Sequence, residues 1–278
     1  MIRQIAPLAA LAFVAACADA AISPIEYHSP GAAQSLAQEP VVICHQPDQA
    51  ANLITVGAAA MPAHLAHGDY VARLSVDPAI TPGDGIHFRR ITDAILAARA
   101  TRFTFQELTA AACRISIDVV AGAFKGSFDA GVDPAFERLP LIIDVPDITL
   151  RGALVMQMDG AGRATGASDH ATTLLPDRPI AFSPVGEDFI IVAGHPDGSL
   201  GDGAVIQGFA FQSGRNDGSA GGLGIMALRA SRVVIRGNRF EQGLMTAVDL
   251  RASSAVVENN HAAHLGANCA FCLAGPGE

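Results

Sequence analysis

Over the last third of the chain, apolar positions alternate with others in short runs, and the runs repeat. Gly224 to Met245 (GIMALRASRVVIRGNRFEQGLM) is followed without a gap by Thr246 to Ala267 (TAVDLRASSAVVENNHAAHLGA). Leu228, Arg229, Ala230, Ser231, Val234 and Asn238 recur as Leu250, Arg251, Ala252, Ser253, Val256 and Asn260, 22 positions on (250 − 228 = 22). A third copy starts at Asn268. Met226, Leu228 and Ala230 stand two apart, as do Val248, Leu250 and Ala252, then Ala270, Cys272 and Ala274. In a strand this parity lines one face, here assigned to the interior, and sends Ala227, Arg229, Asp249, Arg251, Phe271 and Leu273 outward. A second run per copy, Val233 to Ile235 and Ala255 to Val257, has the β-branched content of a buried parallel strand. Gly237-Asn238 and Asn259-Asn260 close these runs, which predicts a ladder of stacked asparagines, Asn238 over Asn260, inside the turn. Short strands punctuated at this period predict a solenoid in which each copy is one rung.

Upstream, Val205 to Phe211 aligns with Val234 to Phe240 at an offset of 29 (234 − 205 = 29), the extra residues lying in the Gly-rich stretch Gly214 to Gly222. Ile148-Thr149-Leu150-Arg151-Gly152 matches Val233 to Gly237, and Met158 to Asp202 reads as a rung or two with long loops. Before them, Ile91, Ala94, Ile95 and Ala98 follow the i, i+3, i+4, i+7 spacing of an amphipathic helix, with Arg89, Arg90, Asp93 and Arg99 off the stripe. Such a helix can plug the open end of a solenoid and cover its strand edges.

The run Ile115 to Phe128 (ISIDVVAGAFKGSF), through Val119, Gly122 and Phe124, and the later strand Ile148 to Gly152 resemble the opening of the pectin-lyase-like superfamily. The resemblance covers residues 86 to 278. It implies an all-β fold, a right-handed single-stranded parallel β-helix of about 22 residues per rung with an N-terminal capping α-helix. That superfamily spans lyases, hydrolases, epimerases, adhesins and proteins with no known reaction, so the fold names no chemistry. No second cap follows Gly275-Pro276-Gly277-Glu278 and the third copy stops halfway. The chain is therefore expected to be truncated at its C-terminus, or its last edge to be covered by a partner.

Arg3, the apolar run Ile5 to Ala16 and the small residues around Cys17 predict a signal peptide over 1–20, too short for a membrane span. Val14-Ala15-Ala16-Cys17 resembles a bacterial lipobox, which would make Cys17 the lipidated first residue; ordinary cleavage after Ala18-Asp19-Ala20 is the alternative. Residues 21–39 read as a tether, 40–75 as a small Cys/His module and 76–278 as the β-helix. The expected address is outside the cytoplasm: periplasmic, an outer-membrane lipoprotein or extracellular. A formal charge of −9 with a single lysine, Lys125, gives no basic stripe for nucleic acid. Zero Trp and two Tyr argue against sugar binding by aromatic stacking and leave polar recognition of acidic sugars open.

Val41-Val42-Ile43-Cys44-His45-Gln46-Pro47 and Ala63-His64-Leu65-Ala66-His67-Gly68-Asp69-Tyr70 resemble a short C-H-x-P … H-L-x-H-G-D module of exported bacterial proteins. Relatives carry a cysteine soon after the Gly-Asp; here Ala72-Arg73-Leu74 stands there, and Cys44 can pair with Cys113 instead in an oxidising compartment. Cys44, His45, His64, His67 and Asp69 are candidate ligands for zinc or copper, offering thiolate, imidazole and carboxylate. The alternative makes Cys44 a disulfide, the histidines caps of a small turn and Asp69 an acceptor for backbone amides.

Cys269 and Cys272 form a lone C-x-x-C, and the register argues for a buried free thiol at Cys272 beneath Leu228 and Leu250. On the outward parity, Arg229, Asp249 and Arg251 are the catalytic candidates: two arginines flanking a carboxylate suit a uronate, and β-helix lyases pair basic residues with acidic calcium ligands, so Ca²⁺ is the cofactor expected of a lyase. The alternative is a solvated face on which Asp249 offsets two like charges. Neither an Asp-Asp pair nor a Gly-His-Gly of the polygalacturonase type occurs, since Gly194-His195 runs into Pro196. Two functions remain open: a non-catalytic binding scaffold for polysaccharide, or a carbohydrate-active enzyme, a lyase or epimerase on acidic glycans. Membrane contact is expected only through a lipid on Cys17.

Overall fold

The computed structural model describes residues 40–45, 52–81, 83–104, 113–129, 135–161, 164–167, 171–178, 188–194, 201–213, 221–241, 243–263, 265 and 270–274. The segments read above as signal peptide and tether, Cys17, residues 214–220 and Cys269 lie outside them. Among the described residues no helix is long and apolar enough to cross a membrane.

Three all-parallel sheets stack in register, as in a β-solenoid. The first has seven strands and runs from His87–Phe88 and Arg73–Val76 through Ile115–Val119, Ile148–Arg151, Val205–Gln207 and Val233–Arg236 to Ala255–Glu258. The second has six, from Glu137–Arg138 and Gly122–Ser127 to His261–Ala262. The third has five: Leu141–Ile143, Asp188–Ala193, Leu223–Leu228, Thr246–Arg251 and Phe271–Ala274. β-branched and aromatic residues fill the space between them: Ile117, Ile143, Val192, Val233 and Ile235 are buried, and Phe211 stacks on Phe240 with ring centroids 4.9 Å apart. The offset between paired strands is 22 at Val233↔Ala255, 23 at Ile225↔Val248 and 29 at Val205↔Val234, so the turn length is not constant.

The offset of 23 corrects the facing read from the repeat. Ala227, not Leu228, pairs with Leu250, and Leu228 pairs with Arg251. A one-residue slip exchanges the two faces of a strand. Ile225 and Ala227 are therefore buried while Leu228 is 39% exposed and Met226 half-buried. The recurring Leu-Arg-Ala-Ser marks a corner rather than a strand. In the first copy four residues, 229–232, join the strands ending at Leu228 and starting at Val233; in the second only 252–254 do. The longer corner absorbs its extra residue with two positive φ angles, Arg229 at 53° and Arg232 at 56°, against Ala252 alone at 47° in the shorter. The offset of 23 persists one copy on, pairing Phe271 with Val248, Cys272 with Asp249 and Leu273 with Leu250, although Phe271 and Leu273 are exposed as expected, at 43% and 82%. Cys272 is disulfide-bonded and half-buried, so it is not a buried free thiol, and its pairing with Asp249 takes it out of the Leu250 row.

The asparagine ladder forms. Asn238, fully buried, donates to the Ile206 carbonyl at 3.0 Å and accepts from the Phe209 amide at 3.0 Å, and its own amide donates to Asn260 Oδ1 at 2.9 Å. Each side chain thus satisfies backbone groups that the sharp turn would otherwise strand.

Helix α1 spans Met61–Ala66 and helix α2 spans Ile91–Thr104. The stripe of α2, Ile91, Ala94, Ile95 and Ala98, is buried in the same core as the sheets. Its N-terminal amides would be orphaned there but for Glu137: Oε1 accepts from Ile91 N at 2.7 Å and Oε2 from Thr92 N at 2.9 Å. Burial pushes the Glu137 carboxyl above its ordinary range, and the hydrogen bonds from Thr92 and Ile91 and the Arg90 charge offset only part of that. Glu137→Ala should lower stability by about 1–3 kcal/mol, read as an earlier denaturation midpoint at unchanged slope, because it leaves buried donors unmatched.

Candidate functional site

Strand Pro40–His45 pairs antiparallel with Asn52–Gly57 and with Tyr70–Val71, and the chain then enters the first sheet at Arg73–Val76. The first of these strands is covered on both faces near its end, Ile43 packing in one apolar cluster and Cys44 in another, and His45 is half-buried. Cys44 is bonded to Cys113, Cα atoms 5.7 Å apart, and Tyr70 Oη donates to the Cys113 carbonyl at 2.7 Å. The entrance strand is thereby tied to the solenoid, and Cys44, a candidate metal ligand, has no thiolate to offer.

Helix α1 carries His64 in its last turn. The helix ends in backbone bonds from His67 N and Asp69 N to the His64 carbonyl and from Gly68 N to that of Leu65. Gly68 sits at φ +89°, which an L side chain adopts only with strain, and the turn it makes brings Asp69 back beneath His64. Asp69, its side chain fully buried, receives both imidazoles on one oxygen: His45 Nδ1 is 2.7 Å and His64 Nδ1 2.9 Å from Oδ2. The rings stand edge to face, centroids 5.5 Å apart, with 32% and 20% of the two side chains open to solvent. Among the described residues these three form the one group of His, Cys, Asp or Glu side chains close enough to share a metal ion, their ligand atoms within 4.8 Å of one another. His67, expected beside them, is exposed and outside the group.

The second cluster lies on the outer face of the third sheet. Asp249 alternates with buried Val248 and Leu250, and Arg251 two residues on returns to its carboxylate, Nε at 2.9 Å and Nη2 at 2.8 Å from Oδ2. Arg229 does not join them: its backbone donates to the Arg251 carbonyl at 2.9 Å, Leu228 holds the position beside Arg251, and no ion pair links Arg229 to Asp249. In place of Arg229 the structure supplies Asp188, at the head of strand Asp188–Ala193. The next residue, Phe189, turns inward against Phe211, centroids 5.8 Å apart. Asp188 is 2% exposed and its Oδ2 is buried without a hydrogen-bond partner. Burial raises its pKa to about 6, with Arg251 acting against the shift and Asp249 adding to it. A buried carboxyl raised in this way, within the field of a second carboxylate, is a pattern found at acid–base sites. The alignment of Asp188-Phe189-Ile190-Ile191-Val192 with Leu223 to Ala227 could have found it in the sequence. Calcium finds no set of three carboxylates on this face among the described residues.

Comparison with known protein families, curated proteins and solved structures returns no match.

Proposed function

We propose that the chain is an exported right-handed single-stranded parallel β-helix of the pectin-lyase-like kind that acts on acidic polysaccharide, as a lyase or epimerase, at Asp188, Asp249 and Arg251. The observation that carries this reading is the buried Asp188 carboxyl, whose Oδ2 has no hydrogen-bond partner and whose pKa burial raises to about 6, with Asp249 adding to the shift. An apolar residue would be cheaper at that position, so a carboxyl held there asks for a use. In a lyase, Asp249 takes the proton beside the uronate carboxylate, the bond to the neighbouring glycosidic oxygen breaks, and a carbon–carbon double bond forms. Asp188 gives its proton to the leaving oxygen, and Arg251, 44% exposed, faces the substrate carboxylate. In an epimerase the same abstraction is followed by proton return from the other side. The Cys44–Cys113 disulfide supports an oxidising, exported setting, with lipid at Cys17 the only membrane contact.

Incubation with pectate, alginate and other uronate polymers tests this: ultraviolet absorbance of unsaturated ends is expected from a lyase, and solvent deuterium uptake at the epimerised carbon from an epimerase. The scaffold reading is favoured by one observation, that Asp249 and Arg251 neutralise each other and both acids are buried. Retained polymer binding with neither chemical signal would establish it instead.

A further inference from the structure

We propose that His45, His64 and Asp69 form a transition-metal site for Zn²⁺ or Cu²⁺, separate from the outer-face acids, with Nδ1 of both imidazoles and Oδ2 of Asp69 as ligands and a further position open to water. Three observations converge on it. The donors are two neutral-capable imidazoles and a carboxylate, the set that borderline divalent ions prefer and that calcium and magnesium do not. They already meet at one point, 2.7 and 2.9 Å from the shared oxygen, which bonds of ~2.0–2.1 Å in tetrahedral geometry would open only to about 3.3 Å. And they come from three elements held in place independently of any ion: the strand tied down by the Cys44–Cys113 bond, the last turn of α1, and the turn at Gly68.

Burial also separates the roles. Asp69 brings a carboxyl group into a site where its side chain has no solvent contact, and both imidazoles meet one of its oxygens. A divalent cation takes the two Nδ1 lone pairs, with the ring proton carried on Nε2 of each imidazole, and pairs with the carboxylate; protons compete for the same nitrogens, so metal affinity falls as pH drops. The partial exposure of His45 and His64 gives the ion an entry path and a water-facing coordination position. By the ordinary order of divalent affinities Cu²⁺ binds more tightly than Zn²⁺ at such a site.

The test uses the intact, oxidised chain, stripped with chelator and titrated with ZnCl₂ and with CuCl₂ by calorimetry. One ion per chain is expected, with a thermal midpoint about 5–10 °C higher at a hundredfold excess over Kd and nitrogen hyperfine structure in the Cu²⁺ spin-resonance spectrum. His45→Gln and His64→Gln should each weaken binding at least ~10-fold, Asp69→Asn likewise, and His67→Gln should leave it unchanged. Circular dichroism identifies variants that remain folded; the two histidine variants, at partly exposed positions, keep the test decisive if Asp69→Asn unfolds. The proposal fails if the folded wild-type chain takes up neither ion, or if uptake survives both histidine substitutions.

Discussion

Replacing both Cys44 and Cys113 with alanine should lower the stability of the folded chain by about 4 kcal/mol, because the bond closes a segment spanning 69 residues and loop-closure entropy for that length amounts to roughly 15 cal/mol/K at 25 °C. Denaturant titration under oxidising conditions reads the loss as a lower midpoint; reductant alone is a poorer probe, since Cys272 is also disulfide-bonded. The effect has a local component. Cys44 precedes His45, and its bond to Cys113 fixes the strand that carries His45 toward Asp69, 2.7 Å away. Loosening that strand should weaken Zn²⁺ uptake even in chains that remain folded, whereas Glu137→Ala, which loosens the start of α2, should not. If the double variant lost less than ~1 kcal/mol, the bond would be redundant with the Tyr70–Cys113 hydrogen bond and the surrounding packing.

The solenoid was legible in the sequence because its rungs repeat side chains that do the same local job. Asn238 and Asn260 recur because each must satisfy the amide and carbonyl groups of a tight turn, and that need is written in residue identity. The capping stripe Ile91, Ala94, Ile95 and Ala98 was legible for a similar reason: a helix with one buried face has a fixed spacing. Facing within the third sheet was not. Identical residues at Leu228 and Leu250 invited alignment, but strand register follows the packing of Ile225 on Val248, and one extra corner residue at 229–232 was enough to turn the row over. Of the metal candidates, three of five converge, and what separates them is three-dimensional. Cys44 is claimed by a partner 69 residues away, and His67 follows His64 at a spacing that the helix end turns outward. Asp188 was marked only by the alignment of its strand with Leu223 to Ala227, which shows a carboxyl where the next copy has leucine. What distinguishes it is its surroundings: burial, and the charges of Asp249 and Arg251 from a strand two positions along the sheet.

Asp188→Asn should move stability and activity in opposite directions. The folded chain holds this proton up to about pH 6, while an unfolded aspartate releases it near 3.8. Between those values the folded state binds more protons than the unfolded, so stability falls as pH rises and levels off above about pH 6. Asparagine has no proton to lose there, so the part of the slope that Asp188 supplies should disappear, that of the raised Glu137 remaining, and the variant should be more stable than wild type at pH 7 by about 1–3 kcal/mol, seen as a later thermal midpoint. A group whose removal strengthens the fold is one that packing alone would not retain. If Asp188 is the proton donor, the same substitution should lower turnover of a uronate polymer by roughly 10²–10⁴-fold, and the alkaline limb of the wild-type rate profile, where Asp188 loses its proton near pH 6, should vanish with it. Asp249→Asn provides the contrast. It also removes reactivity, but it unpairs Arg251, so its stability should fall or stay level at pH 7 rather than rise. A chain in which Asp188→Asn neither gained stability nor lost that part of the pH slope would place the carboxyl in a better-solvated setting, and the acid–base reading of this face would fall with it.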